Sequence, residues 1–265
     1  MSLICFLFAT IISYPSFGQN RDPLQTQIVT KDLDNFWTAF EEAGQAFPAS
    51  VFQQLYIDQE SPGIKGFMKG RIIDAETLAG NVKSNIQYYG SIKPNLDSIT
   101  GMRTEILKSF VKLKELYADA VFPPVYFVIG NFNSGGTVSR HGLIIGAEMF
   151  GLPPHPNEEL VQWIDQRTWL KTVLKPVNKV PHIVAHEIIH FQQSGIGITL
   201  LGKCIKEGSA DFLAELTSGS HVNQHIHDYA NPREEALWQE FKTTRSKTWR
   251  KLSERSYEPE TIRSF

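Results

Sequence analysis

The chain has 265 residues, of which 42% are hydrophobic, so it is long enough to fold as one globular domain with a substantial core. Its net charge is −2, which gives no argument for a nucleic-acid partner or for binding to an anionic membrane surface. We therefore expect no nucleic acid among its partners.

An apolar run over residues 3–13 has the length of a signal peptide and is too short to span a bilayer comfortably. Small residues follow at 16–18, which predicts a signal peptide over 1–18 and a secreted or periplasmic protein that begins near Gln19. No later segment could be transmembrane. Because no basic residue precedes the run, a buried N-terminal helix is the alternative. Cys5 lies inside the run, so a lipid anchor at this cysteine is not expected.

Residues 19–30 are predicted to form a polar linker, and 31–241 the main domain. Apolar side chains at helical spacing predict four helices, over residues 32–46, 48–56, 74–89 and 96–121. Between the second and third of these, Ser61-Pro62-Gly63 predicts a turn, followed by an irregular loop to residue 67.

Strands are predicted next, because 125–129 and 142–148 are rich in β-branched and aromatic residues. The glycine-rich segment 130–137 between them predicts a flexible turn, so 125–149 is expected to form a hairpin. Asn157 is predicted to cap a further helix that extends to Leu170.

The motif H-E-x-x-H occurs at His186, Glu187 and His190 within an otherwise apolar segment. Residues four apart lie on the same face of a helix, so both imidazoles can reach one ion, at about 2.0–2.1 Å if it is zinc. Glu187 lies beside them and could act as general base on a metal-bound water. A chance match to this short motif is the alternative.

A second motif, E-G-x-A-D, begins at Glu207 and belongs to a predicted helix over 206–216. Glu207 is the candidate third ligand. Asp211, four residues later on the same face, could accept the remaining N–H of a ligating histidine. The alternative is an ordinary helix with solvated acidic side chains.

Together the two motifs resemble those of the gluzincin group of zinc metallopeptidases, and most of all a family of putative bacterial zinc-dependent proteases. The resemblance implies an α+β, mostly helical zincin-like domain with a small sheet next to the metal helix. It implies one zinc bound by His186, His190 and Glu207, with Glu187 as base. It also implies that an edge strand within 125–149 binds extended peptide. Gln192 departs from the family, which often has an apolar residue there.

The predicted function is therefore zinc-dependent hydrolysis of a peptide or protein substrate, by a secreted or periplasmic metalloprotease. The alternative is a zinc-binding envelope protein without turnover, acting as a binding module. A C-terminal helix usual in the family is not found, and residues 242–265 form a basic, polar tail of uncertain structure.

Four further residues are weaker candidates for contact with an oxyanion or a substrate. Three of them, His225, His227 and Tyr229, lie in a polar segment for which a solvated loop is the alternative. Glu148 loosely resembles a substrate-binding glutamate of related aminopeptidases, and a structural carboxylate is its alternative. Cys204 is predicted to be a buried thiol, with a ligand role as the alternative.

Overall fold

A computed structural model of the chain describes residues 20–194, 198–221 and 223–248. The predicted signal peptide and most of the predicted tail lie outside the described residues. Within them the fold is mostly helical with one four-stranded sheet, which confirms the predicted α+β class.

The sheet consists of β1 (Ile28–Val29), β2 (Val125–Val128), β3 (Gly136–Ser139) and β4 (Gly142–Gly146). The helices that precede β2 are α1 (Lys31–Glu42), α2 (Ala49–Leu55), α3 (Pro62–Phe67), α4 (Ala75–Ser84), α5 (Ile86–Asp97) and α6 (Arg103–Leu116). The helices that follow β4 are α7 (Glu158–Asp165), α8 (Thr168–Val173), α9 (Val180–Gln192), α10 (Leu200–Ser218), α11 (Gln224–Ala230) and α12 (Glu234–Thr244).

Several segments differ from the sequence-based prediction. The single helix predicted over 96–121 is instead the end of α5, a 3-10 segment over Ser98–Met102 and α6, which ends at Leu116. The helix predicted from Asn157 to Leu170 is likewise divided into α7 and α8.

The predicted turn at Ser61 instead starts α3, because the Ser61 hydroxyl accepts a hydrogen bond from the Ile64 amide and Pro62 occupies the first helical turn. The single helix predicted over 74–89 is divided at Asn85, whose side chain donates to the Asn81 carbonyl. Side chains that bond to their own backbone in this way compete with helix continuation.

The predicted hairpin over 125–149 is wrong. β2 pairs in parallel with both β1 and β4, and only β3 runs antiparallel to β4, as the edge strand in the order β1-β2-β4-β3. The glycine-rich segment predicted as a turn contains β3, and the short turn lies at 140–141. The predicted linker is also part of the fold, since β1 lies within it.

Helices cover both faces of the sheet, which explains why every residue of β2 and β4 is buried. On one face α3 approaches so closely that a Cβ added at Gly66 would overlap Ile144. On the other face α9 packs against β3 and β4, and its Glu187 contacts Gly136, which is paired with Ile145. The sheet therefore separates α3 from α9.

The C-terminal helices contribute little to the core. The buried residues of α10 are Ala210, Ala214 and Thr217, and the described residues of α11 and α12 include none. Cys204 lies on the outer side of α10 and is exposed, so the predicted buried thiol is wrong.

The first residues of the predicted tail also attach to α10. The amides of Leu200 and Leu201 donate to the carbonyls of Lys247 and Arg245, which satisfies two backbone donors at the start of the helix. Among the helices of the described chain, none combines the length and apolar character needed to cross a membrane.

Candidate metal centre

Helix α9, which contains the H-E-x-x-H motif, lies between the sheet, α6 and α10, and eight of its thirteen residues are buried. The apolar side chains of its H-E-x-x-H segment, such as Ile188 and Ile189, enter the core. His186 and His190 lie one turn apart on the side that faces α10. Burial of most of the helix thus fixes where the two imidazoles point.

The structure brings the three predicted ligands together. One donor atom from each of His186, His190 and Glu207 lies within 4.8 Å of the others. The Oε2 atom of Glu207 is 3.1 Å from His190 Nε2 and 3.8 Å from His186 Nε2. A tetrahedral zinc ion bonded at about 2.1 Å separates its ligand atoms by about 3.4 Å, so the observed distances bracket the required spacing.

Each imidazole is oriented by an acceptor on its other nitrogen. His186 Nδ1 lies 2.8 Å from Oδ1 of Asp211, the aspartate that the sequence offers as acceptor for a ligating histidine. The same carboxylate accepts hydrogen bonds from Asn223 Nδ2 at 2.9 and 3.2 Å. An Nδ1–H donated to Asp211 leaves the Nε2 lone pair of His186 free to bind an ion.

Gln193 orients the His190 imidazole in the same way. Its side-chain oxygen lies 2.9 Å from His190 Nδ1, while its amide donates to the Lys206 carbonyl and the Ser209 hydroxyl, both at 2.9 Å. Gln193 follows the last residue of α9, and its two acceptors belong to α10. It therefore orients His190 and joins the two helices that carry the ligands.

The pKa values of His190 and Glu207 are shifted in opposite directions. The hydrogen bond from His190 lowers the pKa of Glu207. Burial lowers the pKa of His190, but its hydrogen bonds with Glu207 and Gln193 act in the opposite direction, and the net shift is upward. Both shifts favour the charged forms of the two groups, because each stabilises the other's charge across the centre.

Glu187 is buried on the side of α9 that faces the sheet. Its carboxylate packs against Gly136 of the edge strand, where a Cβ would overlap it. Burial raises the pKa of Glu187, and the nearby His186, His190 and Arg71 act in the opposite direction. The side chain lies beside the two histidines, and it is not among the donors that converge at the centre.

The remaining candidates are not among the donors that converge at this centre. Glu148 is fully buried, and His225 and Tyr229 are exposed on α11. The Arg233 guanidinium stacks on the Tyr229 ring at 4.5 Å. His227 belongs to a different group of side chains, 4.7 Å from His221 between ring centres. In the polar segment that contains His225, His227 and Tyr229, the structure has the helix α11 in place of the solvated loop given as the alternative.

Two orienting residues, Gln193 and Asn223, were missed by the sequence-based analysis. Gln193 lies three residues after His190, a spacing that could have indicated it. Asn223 lies 12 residues after Asp211, and nothing in the local sequence distinguishes it from other polar loop residues.

These features define a class, namely an α+β protein with a candidate metal centre between two helices. A family model described as "Gliding motility protein GldB" matches residues 26–257, which is most of the chain, and the chain belongs to this family. No curated protein and no solved structure matches it. The label of the family model marks a lipoprotein, and a location in the cell envelope is compatible with that label.

The family match overturns the predicted membership of the gluzincin peptidases. The prediction of a zinc protease is wrong as an account of function, because the family that covers the domain is one of gliding motility. The match supports neither peptide hydrolysis nor the alternative of a protease-derived binding module. The motifs misled because they specify the positions of a few donor groups, whereas a fold and a donor set are compatible with many functions.

Proposed function

We propose that this chain acts in gliding motility as a cell-envelope protein in which one zinc ion joins α9 to α10. The family supports the process and the envelope. The single observation that carries the metal is the convergence of two separately oriented Nε2 atoms and the Glu207 carboxylate on one point.

The donor set favours zinc over harder cations. Two imidazoles and one carboxylate are typical zinc ligands, whereas magnesium and calcium prefer oxygen donors throughout. The carboxylates of Asp211 and Glu207 also balance the charge of a dication in a partly buried place.

A structural role is supported by the small side chains with which α10 packs on its neighbours. The helix lies close against α9 and α6, but the residues that it buries are Ala210, Ala214 and Thr217, and Leu213 is only partly buried against the core. A bond from each of two helices to one ion supplies the attachment that the side chains do not.

We place the domain on the periplasmic side of the envelope, in keeping with the apolar N-terminal run and the envelope family. Other proteins of the motility apparatus are the expected partners, because the family is defined by a process that many components share.

The metal is tested by zinc analysis of the full chain after dialysis against a weak chelator. Wild type should retain about one zinc per chain, and His186→Ala should retain almost none. His225→Ala is the matched control, because this exposed histidine lies outside the centre, and it should retain the ion. Full zinc content in His186→Ala would show that His186 does not bind the ion and would contradict the proposed site.

The link to function is tested in the natural host by colony spreading. A strain that lacks the protein should not spread, and Glu207→Gln at wild-type protein level should spread poorly, because a neutral amide is a weaker ligand. Normal spreading of the deletion strain would contradict the motility role. Normal spreading with Glu207→Gln alone would show that motility does not need the metal.

A further inference from the structure

A second group of metal-binding side chains lies just beyond the first centre. One donor atom from each of Glu215, His221 and His227 lies within 4.8 Å of the others. Glu215 Oε2 is 3.0 Å from His221 Nδ1, and the two imidazole rings are 4.7 Å apart between centres. We propose that these three residues form a second, exchangeable site for a divalent cation of the zinc type.

The chain geometry that creates this group is local. Glu215 lies in the last turn of α10, His221 in the following loop and His227 in α11. Gly219 ends α10 in the left-handed conformation, with φ of 78°, and its amide donates to the Glu215 carbonyl at 2.7 Å. This glycine cap reverses the chain, so that both histidines return towards the glutamate.

The loop that carries His221 is held from two sides. Lys179 at the start of α9 donates to the Ser220 hydroxyl at 3.2 Å. Asn223, on the other side of His221, donates to both oxygens of Asp211. Anchors on either side limit the motion of His221, which lowers the entropy that an ion would cost the loop on binding.

The donor chemistry matches that of the first centre, with two imidazoles and one carboxylate. A tetrahedral ion needs ligand atoms about 3.4 Å apart, so the 4.8 Å limit requires side-chain adjustments of about 1.4 Å at most. The side chains of His221 and Glu215 are 38% and 41% exposed, so an ion here would keep water ligands and exchange with solution. In the first centre both histidine side chains are only 9% exposed, while that of Glu207 is 52% exposed.

The two groups share a structural connection. Asp211 orients His186 of the first centre and also accepts both hydrogen bonds of Asn223, which lies between the histidines of the second group. An ion at the second site would therefore hold the loop that supports Asp211. We expect its occupancy to slow the loss of zinc from the first centre.

The test is a calorimetric titration of metal-free full chain with Zn²⁺ alone. Wild type should bind two ions per chain in two steps of different affinity. His227→Ala should lose the weaker step and keep the tighter one. His225→Ala, with the same change two residues away on α11, should keep both.

Two further variants separate the sites. Glu207→Ala should lose the tighter step and keep the weaker one, so failure of the first site does not obscure the second. If His227→Ala proves unfolded by circular dichroism, Glu215→Gln, which preserves shape, should show the same loss of the weaker step. A single step in wild type, or a weaker step that persists in His227→Ala or in folded Glu215→Gln, would overturn the proposal.

Discussion

Glu148 is a carboxyl group in the core, surrounded by tyrosine rings. Its backbone carbonyl accepts a hydrogen bond from the Tyr88 hydroxyl at 2.6 Å, and its Oε1 accepts one from the Phe132 amide at 3.2 Å. Burial raises the pKa of Glu148 to about 7, against the opposing effect of its backbone hydrogen bonds. The folded protein therefore keeps this group protonated at pH values where the unfolded chain has ionised it.

This shift predicts a pH-dependent cost in stability. Below the ordinary pKa of a glutamate the carboxyl is neutral in both states and costs nothing. As pH rises to about 7, the unfolded state alone loses its proton and stability falls, in total by on the order of 3 kcal/mol. Above the pKa of Glu148 in the folded protein, this loss of stability no longer grows with pH.

Glu148→Gln removes that dependence, because an amide does not titrate. The melting temperature of the variant relative to wild type should rise from pH 4.5 to 7 and then level off, which thermal melts across this range would measure. A constant difference between the two proteins over the whole range would contradict the buried-carboxyl account.

At the scale of elements, the connection before α4 contains a strained tight turn. Ile73 has φ of 73° and ψ of −75°, and the Asp74 amide donates to the Ile72 carbonyl at 3.0 Å. This is the rare form of the γ-turn, which a β-branched residue adopts only at a cost. The Ile73 side chain is largely exposed, so little packing offsets that cost.

Ile73→Gly should therefore stabilise the protein by about 1 kcal/mol, because relief of backbone strain exceeds the entropy that glycine adds to the unfolded chain. Ile86→Gly is the matched control, since Ile86 is also exposed and begins α5. That variant should lose about 1 kcal/mol through helix propensity. Denaturant unfolding of both variants gives the comparison, and a loss of stability in Ile73→Gly would refute the strain.

The sequence was informative where one local pattern decides an element. The H-E-x-x-H segment within apolar residues was sufficient to predict α9, and Asn157 caps α7 as predicted, with its side chain accepting from the Leu160 amide. The break at Asn85 depends on one side-chain hydrogen bond, which periodicity does not reveal. The parallel pairing of β2 and β4 depends on tertiary contacts, which the pattern of two neighbouring strands does not reveal.

The same limit applies to the candidate sites. Helical spacing alone predicts that His186 and His190 share one face of α9. Glu207 lies on α10, and its position beside them was expected from the second motif and the family resemblance, not from helical geometry. Asn223 and His221 acquire their positions only when α10 reverses at Gly219. The family could not be predicted from these patterns, because a few donor side chains describe local chemistry, whereas the family match extends over residues 26–257.

At the scale of the whole molecule, stability is unevenly distributed. The apolar core draws almost all of its side chains from the region up to Ile189, with Ala210 as the last residue of its main cluster. The helices α10, α11 and α12 depend on hydrogen bonds, on a few small side chains and, in our proposal, on metal. Removal of metal should therefore affect these helices first.

Hydrogen exchange with and without a strong chelator measures this effect. Chelation should increase amide exchange in α10–α12 by tenfold or more, while β2, β4 and α1 keep their protection. Such a change corresponds to at least about 1.4 kcal/mol of lost local stability. Equal loss across the molecule, or no loss in α10, would contradict a structural role for the metal.

The start of the described chain is attached close to the C-terminal end of α9. The Phe122 amide donates to the Asn20 carbonyl at 2.7 Å, and the Asn20 side chain donates to the Phe122 carbonyl at 2.9 Å. The neighbouring residue, Val121, exchanges two hydrogen bonds of 3.0 and 2.8 Å with the Gln192 side chain at the end of α9. A force applied at Asn20 would thus reach α9 through two adjacent pairs of hydrogen bonds. These bonds form a short connection from the first described residue to the helix that carries His186 and His190.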